Sequence, residues 1–401
     1  MRIRIIVSFI ALLFIVAPAW AGEEKEHEQG ESKVSIHGYG ELHHNNPTGG
    51  GFPDETKNAS LDMHRMVWGV SYTFDDRWSL HTEIDFEHAA QELELEFAYL
   101  EYRGNSPVGF RIGHFLMPVG PLNEYHEPPL FYSVERSYVQ KFIIPTTWSE
   151  SGFGIFGESS VGLKYRLYVV SGLNATKFSD KDGMRGGRQF PLGDLSFKTA
   201  ANKNGIPNNS DKFGGVGRLE YTGVPGLAVG VSYYNADANG VEGVGVTLWD
   251  VDLRYKIAGF DLSLLSAQSK IKGAKDITKS SCVSTVLVLG DPVTETCTNS
   301  AAKVGEEQAG QYGEIAYHLN HVHSRIPDIV PFYRVEKFNT QDKIPAGATY
   351  TADPKYDLEV RTYGLAYYPH PDIAIKVDQE QWKDGAGKKA GRTNVGVAYM
   401  F

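Results

Sequence analysis

Apolar and polar residues alternate along this chain in segments of roughly 9 to 12 residues, and no other feature constrains the fold as tightly. In residues 78–86, Trp78, Leu80, Thr82, Ile84 and Phe86 share one face, and Ser79, His81, Glu83 and Asp85 the other. Residues 161–169 set Val161, Leu163, Tyr165, Leu167 and Val169 against Gly162, Lys164, Arg166 and Tyr168. Residues 227–234 and 249–256 repeat the pattern. A period of two is the period of a strand. A soluble sandwich alternates as well, but its strands run to about 5 or 6 residues. A tilted membrane-spanning strand needs about 9 to 11.

Sixteen such segments begin near residues 34, 63, 78, 93, 108, 152, 161, 213, 227, 244, 260, 308, 328, 356, 373 and 392. Short connections (75–77, 104–107, 159–160, 223–226, 258–259 and 369–372) alternate with long polar ones (44–62, 118–151, 171–212, 270–307 and 339–355). Strict alternation gathers every long loop at one end of the sheet. The fold class predicted is therefore all-β: a transmembrane antiparallel β-barrel of about 16 strands over residues 34–401. The 22 Tyr, 20 Phe and 43 Gly agree with β structure. A net charge of −10 argues against a nucleic-acid partner.

Both ends of the chain point to the same compartment. Arg2 and Arg4, the apolar run Ile5–Val16 and the small-x-small Ala19-Trp20-Ala21 form a secretory signal peptide over residues 1–21. The run is shorter than the roughly 18 residues of a membrane anchor. Residues 22–33 are charged and read as a flexible periplasmic tail. The chain closes on a strand in which Val395, Val397, Tyr399 and Phe401 alternate, with Phe401 last. Tyr399 and Phe401 form the signal by which a bacterial outer-membrane protein is handed to the barrel-assembly machinery. The expected location is the outer membrane, with its lipid against the outward face.

Residues 110–157 resemble the bacterial outer-membrane porins of the phosphate- and polyphosphate-selective type. The resemblance rests on the Gly113-x-Phe115-x-x-Pro118-x-Gly120 block, the Pro145-Thr146-Thr147-Trp148 turn followed by Gly152 and Gly154, and the closing Phe401. It implies a homotrimer of 16-stranded barrels whose third external loop folds inward. The strand count places that loop at 118–151, after the fifth strand. Phosphate selectivity in such porins rests on ladders of basic residues. Here the lumen-facing bases Arg111, Lys164, Arg166, Arg218, Arg254, Lys256 and Lys376 are mixed with acids such as Glu83, Asp85, Glu96, Glu220, Asp250, Asp252, Asp378 and Glu380.

The function expected is passive diffusion of small hydrophilic solutes or ions, with phosphate or other anions among them, through an aqueous channel. Selectivity is set at the narrowest cross-section. Expected constriction residues are Glu124, His126, Glu127, Glu135, Arg136, Lys141 and Glu150 of the loop, faced by Arg111, Lys164 and Arg166 of the wall. The alternative for each is that it anchors the loop. Two other functions fit a barrel: a sheath for a periplasmic partner such as an electron carrier, and a surface receptor or adhesin.

Other motifs carry less, and His37, His43 and His44, near the first strand, are metal candidates as weak as the histidines of 318–323. Gly152–Gly157 (GFGIFG) matches G-x-G-x-x-G, but a loop precedes it and a turn and strand follow, so no phosphate-binding helix terminus forms. Its glycines are expected to let the chain bend back into the wall. Cys282 and Cys297 form one disulfide, or remain two thiols. His318, His321 and His323 are close enough to hold a metal, but read as solvated turn residues. No G-x-S-x-G occurs and nothing nominates a nucleophile, so neither catalysis, a cofactor nor a resident metal is expected.

Overall fold

β-branched and aromatic residues at every second position favour extended backbone, and the expected segments pair with their chain neighbours. The computed structural model describes residues 33–49, 58–104, 107–185, 212–285, 294–323 and 325–401. The expected signal peptide (1–21) and all but Lys33 of the 22–33 tail lie outside the described residues. The first strands are β1 (Val34–Thr48), β2 (Ser60–Thr73), β3 (Trp78–Glu87), β4 (Glu92–Arg103), β5 (Val108–Leu116) and β6 (Ser149–Glu158). There follow β7 (Leu163–Ser171), β8 (Phe213–Tyr221), β9 (Leu227–Asp237), β10 (Gly245–Ile257) and β11 (Phe260–Lys272). A hairpin, β12 (Thr278–Thr285) and β13 (Thr294–Ala301), interrupts the series. The wall resumes with β14 (Glu307–Tyr317), β15 (Asp328–Lys343), β16 (Asp357–His370), β17 (Ile373–Asp384) and β18 (Lys389–Met400).

All but β12 and β13 form one closed antiparallel barrel in which β18 pairs with β1, so the wall has 16 strands. The β12–β13 hairpin stands apart as a two-stranded sheet within the 270–307 insertion, where only loop was expected. Its register sets Cys282 opposite Cys297; their side chains lie outside the described residues. The five long insertions share one end of the barrel. Three connections at that end, 88–91, 238–244 and 385–388, are nonetheless short, so the strict alternation of lengths does not hold. At the opposite end the 318–327 connection is longer than the other turns there.

The alternation sorts side chains as expected. On β17, Ile373, Ile375 and Val377 are exposed, while Lys376, Asp378 and Glu380 are buried. On β10, Trp249 and Val251 face out, and Asp250 and Asp252 face in. Exposed Val, Ile, Leu and aromatic side chains recur on strand after strand, far beyond the few hundred Å² of apolar patch a soluble monomer exposes. No wall strand is shorter than the 9 residues of β5, β7 and β8, enough to cross a hydrocarbon layer at a tilt. Exposed Phe74, Trp78, Phe110, Tyr221, Phe260 and Phe401 cluster at the short-turn end, where an aromatic girdle belongs. Of the two-residue turns there, Ala258–Gly259 has φ of 50° and 83°, the left-handed pair of the favoured hairpin turn.

Among the described residues four register shifts interrupt the wall ladders, and those in β2 and β4 change which side chains face the lumen. Glu41 pairs with Arg65 and Leu42 with Met63, so His64 is an extra residue in β2. Likewise Glu83 pairs with Phe97 and Ile84 with Leu95, leaving Glu96 extra in β4. Each bulge shifts the phase by one residue. Glu94 and Glu96 therefore face the lumen together with Phe97, Tyr99 and Glu101 of the same strand.

The third connection at the long-insertion end is 117–148 rather than 118–151. β6 starts at Ser149 because the ladder continues through Leu116↔Ser149 and Phe115↔Glu150, and the Met117 N–H still donates to the Trp148 carbonyl (2.8 Å). Glu150 is thus a wall residue. Gly152, Gly154 and Gly157 all lie inside β6, without left-handed φ, so they do not bend the chain. They permit close approach instead. A Cβ on Gly154 would lie 2.1 Å from the Leu167 carbonyl and 2.6 Å from the Tyr168 ring.

The barrel seam runs through the last residue. The backbone N–H groups of Gly38 and Phe401 each donate to the other's carbonyl (3.0 and 2.9 Å), and the Phe401 ring packs edge-on against Trp68 (5.3 Å). Deleting Phe401 should lower stability by about 2 kcal/mol through these two hydrogen bonds alone. Thermal unfolding in detergent, followed by heat-dependent gel mobility, checks this; an unchanged midpoint would show the seam to be indifferent to the last residue.

Candidate functional site

Residues Met117–Trp148 leave the wall after β5 and cross the lumen. The segment is too apolar to remain in water: Met117, Val119, Val139, Phe142, Ile143, Ile144 and Trp148 are buried. They belong to one hydrophobic cluster with the inward residues Tyr234, Leu248, Tyr312, Phe338 and Trp382 of the wall. Phe142 stacks on Phe338 (5.4 Å), Tyr138 packs on Trp382 (4.2 Å), and Trp148 packs on Tyr234 (4.8 Å). From the next long insertion, Leu173, Phe178 and Met184 join the same cluster.

A segment without regular structure carries backbone groups that need partners, and the charged wall supplies them. Wall carboxylates accept from segment N–H groups: Asp250 from Gly120 (3.1 Å), Asp378 from Val134 (2.7 Å) and Glu336 from Val139 (3.2 Å). Wall cations donate to segment carbonyls: Lys376 to Pro128 (2.6 Å) and Ser133 (3.0 Å), and Arg334 to Glu135 (3.3 Å). Side chains add to this, with Ser137 donating to Glu336 (2.7 Å) and Tyr138 to Glu380 (2.9 Å). Asp250, Lys376, Asp378 and Glu380 do face inward, as the alternation predicts, but they hold the segment.

The expected constriction residues separate into two groups. Several are engaged in fixed contacts. His126 is buried against Tyr39 (2.8 Å) and pairs with Glu96. Glu135 accepts from Asn45 (3.0 Å) and lies 3.6 Å from His43 and 3.8 Å from Arg392. Arg136 donates to Thr146 (2.6 Å) and Thr147 (3.0 Å) within the segment itself. Glu150 accepts from Trp148 (3.0 Å) and Ser171 (2.5 Å). Lys141, Lys164, Arg111, Glu124 and Glu127 border open volume, as His126 and Glu135 also do. Lys141 faces a cavity of about 340 Å³ on the long-loop side of the segment, shared with Glu135, Arg392, His43, His64 and His88. Lys164 faces one of about 610 Å³ on the short-turn side. Arg111, Glu124 and Glu127 face a third of about 300 Å³. Arg111 pairs with Glu101 (2.8 Å) over the Tyr99 ring, and Arg166 with Glu124 (3.2 Å).

Arg65, Arg334, Glu336 and Arg392 were not anticipated, although each is central to the lumen. Arg334 and Glu336 alternate with exposed Tyr333 and Val335, so the period of two marks them. Arg65 is out of phase with Asp62 and His64 unless the bulge is known. The Tyr399 hydroxyl lies 3.0 Å from the Met66 sulfur on β2, beside the seam. His318 bonds Asp328 (2.8 Å) and Tyr132 (3.2 Å) in the 318–327 connection. It does not form a metal-sized group with His321 and His323 among the described residues. Two other such groups are found there, Asp62–His64–His88 and Glu87–His88–Glu92.

An "Uncharacterized protein" of Aquifex aeolicus (strain VF5) is 31% identical over 381 residues, covering 92% of this chain and 80% of that protein. The two chains belong to one family. No family model matches the sequence. Among solved structures, Salmonella typhi OmpF, in complex with daunomycin, aligns with a TM-score of 0.55 at 12% identity over 92% of this chain and 97% of its own. An anion-selective porin from Comamonas acidovorans (0.54, 12%, covering 92% and 100%) and the outer membrane channel DcaP of Acinetobacter baumannii (0.54, 12%, covering 92% and 97%) are alike to a similar degree. At this identity they show the fold alone: this chain has the porin fold.

Glu135 fastens the segment to β1 and β18. Burial works against its charge, but Arg392, His43 and Lys141 outweigh burial and hold the carboxyl well below the ordinary carboxylate range. A depressed folded-state pKa stabilises fully above the unfolded value of about 4.3, and the contribution is lost as the pH falls through the lower folded value. Glu135→Gln should therefore be less stable than the native chain at pH 7, and the two should converge only in strong acid. Melting curves of both from neutral to acid pH test this; equal midpoints at pH 7 would refute it.

Proposed function

We propose that the chain is an outer-membrane channel for passive diffusion of small hydrophilic solutes or ions, and that segment 117–148 forms its constriction. One observation carries the reading: the segment crosses the lumen of a closed 16-stranded barrel and is tied to wall strands β10, β15 and β17, with cavities on both sides of it. A barrel of that size leaves room for water unless filled, and an inserted segment sets what passes. Stable stepwise currents in planar bilayers support this; a silent barrel counts against it.

The resemblance of residues 110–157 to phosphate-selective porins extends the reading to anions. The wall bases weigh against a strong preference. Arg65, Arg218 and Arg334 each pair with buried carboxylates, and Lys376 holds segment carbonyls, which leaves no continuous basic ladder among the described residues. We infer weak charge selectivity, so the reversal potential in a salt gradient should lie close to zero. A strongly anion-selective value would restore the phosphate assignment. Likeness to porins that include a trimer form (Vibrio cholerae OmpT, TM-score 0.50) supports a homotrimer, with the C-terminal Tyr399 and Phe401 serving the assembly machinery.

If segment 117–148 is the constriction, loosening it should widen the pore. The double variant Glu336→Gln, Lys376→Met removes two of its wall partners and should raise single-channel conductance. Unchanged conductance with a folded barrel would place the narrowest point elsewhere.

A further inference from the structure

On the long-loop side of segment 117–148, three residues from one strand and the turn after the next converge in a way the channel reading does not use. Asp62 and His64 lie on β2, and His88 follows β3. One carboxylate oxygen of Asp62 lies 2.8 Å from His88 Nδ1 and 3.3 Å from His64 Nδ1. The three ligand atoms all fall within 4.8 Å of one another. The side chains are neither sealed nor loose: Asp62 and His64 are 31% exposed and His88 40%, and all three line the 340 Å³ cavity.

Two irregularities of the backbone create this convergence. Without the bulge at His64, the alternation that turns Arg65 and Val67 inward would turn Met63 inward and send Asp62 and His64 outward. The extra residue reverses the phase, so Leu61 is exposed (71%) and Asp62 and His64 face the cavity. The second irregularity is the turn after β3. His88, Ala89 and Ala90 all have left-handed φ (50°, 57° and 68°), although none is glycine. Such residues are uncommon there, and the cost falls on a position the surroundings must enforce. His88 N–H donates to the His64 carbonyl and Ala89 N–H to that of Met63 (both 3.1 Å), which fastens the turn to β2 and seats His88 beside His64.

We propose that Asp62, His64 and His88 form a binding site for a divalent transition-metal ion at the external mouth of the barrel. Two imidazoles and one carboxylate suit borderline cations such as Zn²⁺, Co²⁺ or Ni²⁺ rather than Mg²⁺ or Ca²⁺. Ligand bonds of about 2.0–2.1 Å set tetrahedral ligands about 3.4 Å apart; the Asp62 oxygen lies 3.3 Å from His64 Nδ1 and 2.8 Å from His88 Nδ1, and all three ligand atoms fall within 4.8 Å. Each imidazole presents its Nδ1 lone pair once its proton resides on Nε2. A fourth position stays open to water or solute from the cavity. The neighbouring Glu87–His88–Glu92 group is the weaker set, because Glu87 is already paired with Arg65 at 2.9 Å.

The test is titration calorimetry of the full-length mature chain in detergent with Zn²⁺ alone, with Mg²⁺ as comparison; it does not depend on conduction. One-to-one Zn²⁺ binding is expected, with no Mg²⁺ heat. His64→Gln and His88→Gln should each weaken it by at least about tenfold, since even outer partners of a metal site cost 10–100-fold. Folded barrel content is verified by heat-dependent gel mobility. In the native chain, with no substitution, Zn²⁺ should also shield His64 and His88 from diethylpyrocarbonate, read by mass spectrometry. Unweakened Zn²⁺ binding in the folded variants, absence of shielding, or loss of binding on replacing His318, His321 and His323 instead would overturn the proposal.

Discussion

An antiparallel sheet has two edges until its first and last strands meet, and every other feature of this molecule depends on that meeting. Strand β1 pairs on one side with β2 and on the other with β18, so each backbone polar group of the wall can find a partner within the sheet. Closure permits the outward face to be apolar throughout, because no unpaired edge is exposed there. It also creates an enclosed volume whose lining must be polar or covered.

The lining here is both. One part is apolar and buries the side chains of segment 117–148; the rest is charged and pairs with that segment's backbone. The division has a physical reason. Irregular backbone inside a barrel has no ladder to satisfy its N–H and C=O groups, and side chains of a rigid wall can reach them from several directions. Acids meet the N–H groups and bases meet the carbonyls, so a mixed set of wall charges is what an inserted segment needs. The same mixture argues against a lumen dominated by one sign of charge.

The inward and outward faces were legible because the strand period is two and the two faces meet different surroundings. Ile375 against Lys376 and Asp378, or Trp249 and Val251 against Asp250 and Asp252, needed no coordinates. The number of strands and the placement of the long insertions followed from the same pattern. The glycines of 152–157 were correctly removed from nucleotide binding, but their role is close packing against β7 rather than a bend. The start of β6 was misplaced by three residues because Ser149, Glu150 and Ser151 carry no apolar alternation. The β12–β13 hairpin was missed for a similar reason, since its segments are polar throughout.

Alternation, short turns and the aromatic C-terminus, all local properties of the chain, determined a closed barrel and which wall residues face its interior. Which of those residues hold the inserted segment and which face open volume was decided only in three dimensions. Lys164 and Glu336 look equivalent in sequence, yet one borders a cavity and the other is buried under Ser137 and Val139. The difference depends on where residues 117–148 cross the lumen, between strands far apart in the chain. The bulges are likewise tertiary. A one-residue slip has no preferred place in β2 until Arg65 reaches Glu41, Asp85 and Glu87, and only then do Asp62 and His64 turn to meet His88.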